Sequence, residues 1–346
     1  MATRFLDSFL HYNTSQILRK WTNSVNTIGA WVITPGVGRW GTAGLVYTLN
    51  SAGRVLQKTL DNQQTWVVGV AMKWNTLPGS TDAIIVVYDG GSRQVDLRVS
   101  PTGQLVATRN GTVLGTSAAA LASGSFAFVE IKVVIASGAG GSFTVTVNGV
   151  AVLTLTAINT QATGNAFAST VGLGSPDGNS TGQTVTFSDL HILDGTGSVT
   201  NTLIGDCRVD CLLPASDSAI VQWNPGGSGG ATHYTHVNEV PADDDTSYVQ
   251  DNVVGHEDEY GMGALAAVPV TIYGVQIVLM ARKIGSGSRS IAGAVHSGLV
   301  DVVGSGVALG DQYGCVLTQQ QNDPSTSLPW TAVGIAAAAF GPAVTA

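Results

Sequence analysis

The strongest constraint on the fold is a series of short alternating segments separated by turn pairs. Residues 94–117, QVDLRVSPTGQLVATRNGTVLGTS, alternate apolar and polar positions, break at Pro101-Thr102-Gly103, alternate again and break at Asn110-Gly111. A period of two sends successive side chains to opposite faces of an extended chain, one face to a core and one to solvent. Asn-Gly supplies the two positive-φ residues of a type I′ turn, so the flanking segments form a hairpin. Residues 128–155, FVEIKVVIASGAGGSFTVTVNGVAVLTL, repeat the scheme, with breaks at Ser137–Ser142 and Asn148-Gly149. TWVVGVAMKW (65–74) and DAIIVVYDGG (82–91) add two β-branched runs. This spacing predicts an antiparallel sandwich or barrel rather than an alternating β-α-β sheet, with no helix longer than two turns before residue 200.

Composition agrees. Glycine occurs 44 times and lysine only at positions 20, 58, 73, 132 and 283, a poor supply for long helices. Low charge and a mean hydropathy of +0.24 raise a membrane question. The longest apolar-leaning run, Val268–Ala281, is interrupted by Thr271, Tyr273, Gly274 and Gln276, and is shorter than the ~20 residues of a spanning helix. No membrane insertion is expected. The opening MATRFLDSFLHYN carries Asp7 and His11 where a secretory leader needs an unbroken apolar stretch, so the chain reads as unexported. Cys207, Cys211 and Cys315 then read as buried reduced thiols, since Cys207-Arg-Val-Asp-Cys211 has no second pair to complete a zinc site.

Charge divides the chain. Residues 1–197 carry 11 Lys/Arg against 9 Asp/Glu, whereas residues 198–346 carry 4 against 14. No basic residue lies between Arg208 and Arg282, a span holding ten acids. Nucleic-acid binding is disfavoured, because tracking phosphates needs clustered Lys/Arg. A domain boundary is expected near residue 197, giving domains 1–197 and 198–346.

The order of segments in the first domain carries a resemblance. RFLDSFLHYNTSQILRKWT (4–22) with Phe9, Tyr12 and Trp21 is followed by the meander with FTVTVNGVAVLTL, then by TVTFSDLHILDGTG (184–197). This looks like the concanavalin A-like lectin/glucanase group, in the laminin-G-like branch found in bacteriophage structural proteins. Downstream, TLIGDCRVDCLLP, QWNPGGSGGATHYTHVNE, DDDTSYV, GVQIVLMARK and DPSTSLPWT follow in the order that resembles the C-terminal half of tailed-phage virion proteins. The resemblance implies an all-β chain: an N-terminal concanavalin A-like jelly-roll sandwich, plus a smaller acidic β-rich domain for virion assembly. Residues 268–283 are expected as one long strand or two joined strands, and residues 329–341 as a short Ala-rich C-terminal helix beginning after Pro329.

Catalytic signals are weak. Gly226-Gly227-Ser228-Gly229-Gly230 matches G-x-S-x-G, but lacks the strand-to-helix setting of a nucleophile elbow and reads as a flexible loop. His256-Glu257-Asp258-Glu259 gathers four potential ligands, with His233 and His236 upstream, but Tyr260 replaces the second histidine of a metalloprotease motif. It reads as a solvated acidic loop. Glycosidases need two carboxylates facing one cleft. Glu130 is the only glutamate before residue 198 and Asp96 is equally alone in its strand. Asp89 and Asp177 with Asn179 are available as loop acids for a lectin site, without matching a lectin metal motif. Trp66 and Trp74 share a strand face and are expected in the core.

Asp243-Asp244-Asp245 remains, between Pro241 and Ser247-Tyr248-Val249. In an extended chain neighbouring side chains diverge, so three carboxylates cannot converge on one cation without a turn, and EF-hand spacing is absent. Turn capping, contact with a basic partner or another copy, and a cation stay open. Asp243, Asp244, Asp245 and Tyr248 are the candidate subunit-interface or turn residues; no catalytic, cofactor or metal residue is assigned and no cofactor expected. The reading is therefore a non-enzymatic virion structural protein, assembled in the host cytoplasm: an accessory spike or adhesin of tail or collar. Its partners would be copies of itself, other virion proteins and a host cell-surface glycan. The alternatives are a capsid decoration protein, a polysaccharide-degrading hydrolase and a monomeric lectin.

Overall fold

A computed structural model describes residues 3–25 and 28–346, with 49% of the chain in strands and 7% in helices. The chain is all-β, as its alternation requires. It divides into two compact units, Met1–Leu10 with Trp21–Val209, and His11–Lys20 with Asp210–Ala346.

The first unit is a jelly-roll sandwich of two antiparallel sheets. In spatial order the first sheet runs Val150–Ile158, Gly141–Val147, Ala127–Val134, Thr65–Trp74, Thr184–Asp194, Gly44–Thr48 and Trp31–Thr34, with Thr3–Asp7 also paired to Thr184–Asp194. The second runs Thr112–Ala119, Gln104–Arg109, Ser92–Val99, Asp82–Asp89, Ala168–Ser175, Arg54–Gln63 and Asn23–Val25. Both Asn-Gly turns have the positive φ their sequence demands: 43° and 85° at Asn110 and Gly111, 50° and 78° at Asn148 and Gly149. Alternate side chains fill the space between the sheets. Trp66 and Trp74 are buried there as expected, and Trp31 stacks on Tyr47 at 4.3 Å between ring centres.

The unit ends at Val209 rather than at 197, because residues 198–209 run over the first sheet. The Ile204 and Gly205 amides donate to Glu130, and the Val209 amide donates to Asp189. Cys207 and Val209 are therefore held by side chains of the sheet; residues 207–211 form no strand, and all three cysteines are partly exposed.

The second unit is organised by a sheet ordered Pro214–Val221, Asp258–Met262, Ala339–Val344, Ser290–Ser297 and Val300–Val303, with Val307–Ala308 also on Ser290–Ser297. Two ribbons accompany it, Asn224–Gly227 with Ser247–Gln250 and Val275–Ala281 with Gly314–Gln320. Val295, Ile277, Trp330, Ile335 and Phe340 share its core. The strand expected over 268–283 is limited to Val275–Ala281. The Ala-rich helix is Ala332–Ala337, capped by the Thr331 hydroxyl rather than started by Pro329, and the chain then continues as a strand. Among the described residues no helix is long and apolar enough to cross a membrane.

Candidate functional site

A polar cleft of about 330 Å³ opens where the Asn110-Gly111 turn meets the loop after Val150–Ile158; Arg109, Asn110, Thr112, Asn159, Gln161 and Ala162 line it. Arg109 closes the second-sheet hairpin opposite Thr112. The loop is fixed by two buried residues. The Thr160 hydroxyl donates to the Val134 carbonyl at 2.7 Å and accepts from the Ala136 amide at 3.0 Å. Gln94 is fully buried; its Oε1 accepts from the Ala162 and Thr163 amides, and its Nε2 donates to the Thr163 hydroxyl and to the Asn165 and Phe167 carbonyls. A glutamine offers one acceptor oxygen and two N–H donors, and both ends are engaged here. Asp89, a loop acid flagged by the sequence, serves the same loop by accepting from Thr163 and Asn165.

Arg109 itself donates only a long bond, 3.5 Å, to the Asn159 carbonyl and meets no carboxylate among the described residues. A half-buried guanidinium beside fixed amides is suited to a carboxylate or a row of hydroxyls. The cleft is open to solvent, and its polar lining favours a hydrated, oxygen-rich ligand over an apolar one. The sequence marks this place only by an arginine directly before a hairpin turn.

The other polar clusters of the sandwich are internally paired. On the outer face of the second sheet, Asp96 accepts from Arg98 at 2.6 Å, while Arg93 and Arg98 both reach Asp177 at 2.8 Å. Burial raises the Asp96 carboxyl and holds the adjacent Tyr88 phenol up to about 12. Val55, Ala83, Val86 and Tyr88 pack there as a small apolar cluster with Val25. Asp177 thus serves an ion-pair network rather than a lectin rim.

On the first sheet, His191 Nε2 lies 3.1 Å from Glu130 and its Nδ1 lies 3.2 Å from Cys207 Sγ. The order thiol–imidazole–carboxylate suggests an activated nucleophile, but burial pushes the Cys207 thiol well up, the reverse of what a thiolate needs. Glu130 and Asp96 lie in different sheets, so the two-carboxylate arrangement is not assembled from them.

In the second unit the triple aspartate forms a turn whose carboxylates diverge. Asp243 accepts from the Ser247 amide and hydroxyl, Asp244 takes the Arg19 guanidinium, and Asp245 takes Arg282 and the Tyr313 hydroxyl. Paired hydrogen bonds from Arg282 hold the Asp245 carboxyl down. Tyr248 lies in the following strand with its ring over Gly226. The GGSGG segment, expected as a flexible loop, is held along its length: Gly226 and Gly227 belong to that ribbon, Ser228 donates to the Thr246 carbonyl, and the His236 ring nitrogens lie at 3.1 and 2.9 Å from the Gly226 and Gly230 carbonyls.

The acidic loop expected at 256–259 is instead the entry to a central strand. Asp258 and Glu259 are fully buried. Asp258 accepts from the Trp223 amide and Tyr260 hydroxyl and faces His233 Nδ1. Burial, with the nearby Glu257 and Asp301 carboxylates, pushes the Glu259 carboxyl up to about 7.

No protein-family model and no curated protein matches the chain. Among solved structures it is similar to an endo-β-1,4-glucuronan lyase of the fungus Trichoderma reesei, at 16% identity and a TM-score of 0.40 over 55% of this chain and 95% of that one. It is similar to alginate lyase Aly36B bound to an alginate tetrasaccharide, at 12% identity and 0.39 over 56% and 95%. A sialidase of Trypanosoma rangeli matches at 14% and 0.34 over 47% of this chain and 27% of that one. The expectation of a non-enzymatic chain is corrected here: these similar structures are lyases and a sialidase, so the absence of a recognisable motif does not exclude an enzyme.

Proposed function

We propose that the sandwich unit recognises an acidic glycan through the cleft at Arg109. The observation that carries the reading is a guanidinium without a carboxylate partner among the described residues, set between the amides of Asn110, Asn159 and Gln161. A uronate carboxylate would take the guanidinium in the paired geometry that arginine favours, and the amides would take ring hydroxyls. The resemblance of the sequence supports placing this recognition on a virion, with a host-surface glycan as the ligand and other virion proteins or further copies of the chain as neighbours.

Glycan binding is a step common to an adhesin and to a polysaccharide-degrading enzyme. Calorimetric titration of oligouronates and of neutral oligosaccharides into the full chain tests it, with the bound glycan recovered afterwards and sized. Uronate binding that weakens about tenfold in Arg109→Ala, the loss of one charge-assisted bond, supports the proposal. Recovery of shortened glycan assigns the enzymatic form, and intact glycan the adhesin. Equal affinity of wild type and variant, or no uronate binding, overturns it.

A further inference from the structure

In the second unit, four adjacent strands bring a second set of donors to one sheet face. Tyr260 pairs with Phe340 and Gly261 with Ala339, which sets Glu259 opposite Gly341. His296 pairs with Ala339 on the other side of the same strand, and Asp301 pairs with His296. With a period of two, Glu257 and Glu259, then Ala339, Gly341 and Ala343, then His296, then Asp301 share that face. The strand in the middle contributes only small residues there, and the neighbouring backbone packs closely on it, with the Asp258 carbonyl oxygen 1.8 Å from where a Cβ on Gly341 would sit. A Cβ on Gly341 would come within 2.9 Å of the Glu259 Cα.

One ligand atom each from Glu259, His296 and Asp301 lies within 4.8 Å of the other two. His296 Nδ1 contacts Asp301 directly. Glu259 is the unusual member: it is fully buried, and both of its carboxylate oxygens lack a hydrogen-bond partner. The buried Oε2 of Glu257 lacks one as well. A buried carboxylate with no donor is costly, and a cation is the group that would satisfy it without a further proton donor.

We propose that Glu259, His296 and Asp301 form a site for a first-row divalent transition metal, with Glu257 as an additional oxygen donor. One imidazole among carboxylates suits Zn²⁺ or Mn²⁺ better than Ca²⁺, which takes oxygen ligands alone. Three protein donors leave coordination positions open. His296 and Asp301 keep 37% and 49% of their side chains exposed, which gives an ion a route in. Metal replaces the direct His296–Asp301 contact and joins three of these four strands, which the sheet's hydrogen bonds already hold in register.

The test is a calorimetric titration of Zn²⁺ into the metal-stripped full chain at neutral pH, repeated with Ca²⁺. One equivalent of Zn²⁺ is expected to bind, and Glu259→Gln to weaken it about tenfold or more. His296→Asn and Asp301→Asn alter partly exposed side chains and give the same answer should the buried variant fail to fold. Asp245→Asn is expected to leave the titration unchanged. Zn²⁺ affinity indifferent to all three site variants, no binding of Zn²⁺, or Ca²⁺ bound as tightly as Zn²⁺ would each overturn the assignment.

Discussion

Asp244 receives both terminal guanidinium nitrogens of Arg19, a residue 225 positions earlier in the chain. Within the long stretch that has no basic residue of its own, this one carboxylate is paired with an arginine from the N-terminal segment. Arg19 is positioned by a capping box in which Asn13 and Gln16 satisfy each other's amides at the start of a short helical turn. The pair is partly exposed, with 23% and 36% of its side chains accessible, so Arg19→Ala is expected to cost about 1 kcal/mol. Thermal denaturation should show the loss shrink in 1 M salt. A loss independent of salt would assign the contribution to packing of the arginine stem.

Asp189 predicts a pH dependence. Burial pushes its carboxyl up from 3.8 to about 6, against the Val209 amide and the Arg39 charge that pull it down. Between those values the folded protein keeps a proton that the unfolded chain has released. This contribution to stability therefore falls as pH rises from about 4 to about 6, and stays level above. The displacement corresponds to about 3 kcal/mol at most. Asparagine adopts the positive φ of 53° seen at this position and keeps the oxygen facing Val209. Urea midpoints at pH 4 and pH 7 should show Asp189→Asn gaining on the wild type at the higher pH.

Gln94 predicts a link between stability and binding. Its side chain makes five hydrogen bonds that fix the cleft loop. Gln94→Ala leaves two amides and two carbonyls to find new partners, at a cost of about 2–3 kcal/mol, and should lower uronate affinity without touching a lining side chain. Chemical denaturation and a binding titration on the same variant measure both.

Gly69 lies directly beneath the His191 ring: a Cβ there would sit 2.2 Å from the ring carbon Cε1. Gly69→Ala is expected to displace the imidazole from Glu130 and Cys207, destabilising the sandwich by about 2 kcal/mol or more. Alkylation of Cys207 at pH 8, slow in the native protein because burial disfavours the thiolate, should accelerate in the variant.

Much of the sandwich was legible because its determinants are local. Asn110-Gly111 and Asn148-Gly149 state their own backbone conformation, and the alternation between them states which face is buried. Sites were far less legible, because their partners are remote. Nothing near Asp244 indicates Arg19, and nothing near Gln94 indicates residues 162–167. His256-Glu257-Asp258-Glu259 looked solvated because four polar residues in a row usually are. Its burial follows from strands arriving from residues 290–297 and 339–344, which local pattern cannot register.

The cleft at Arg109 is tested most directly by backbone amide shift perturbation on adding an oligouronate. Changes centred on Arg109, Asn110, Thr112, Asn159 and Gln161 are expected, together with their loss in Arg109→Ala. Perturbation centred instead on the paired face around Tyr88 and Asp96, or no perturbation at millimolar ligand, would contradict it.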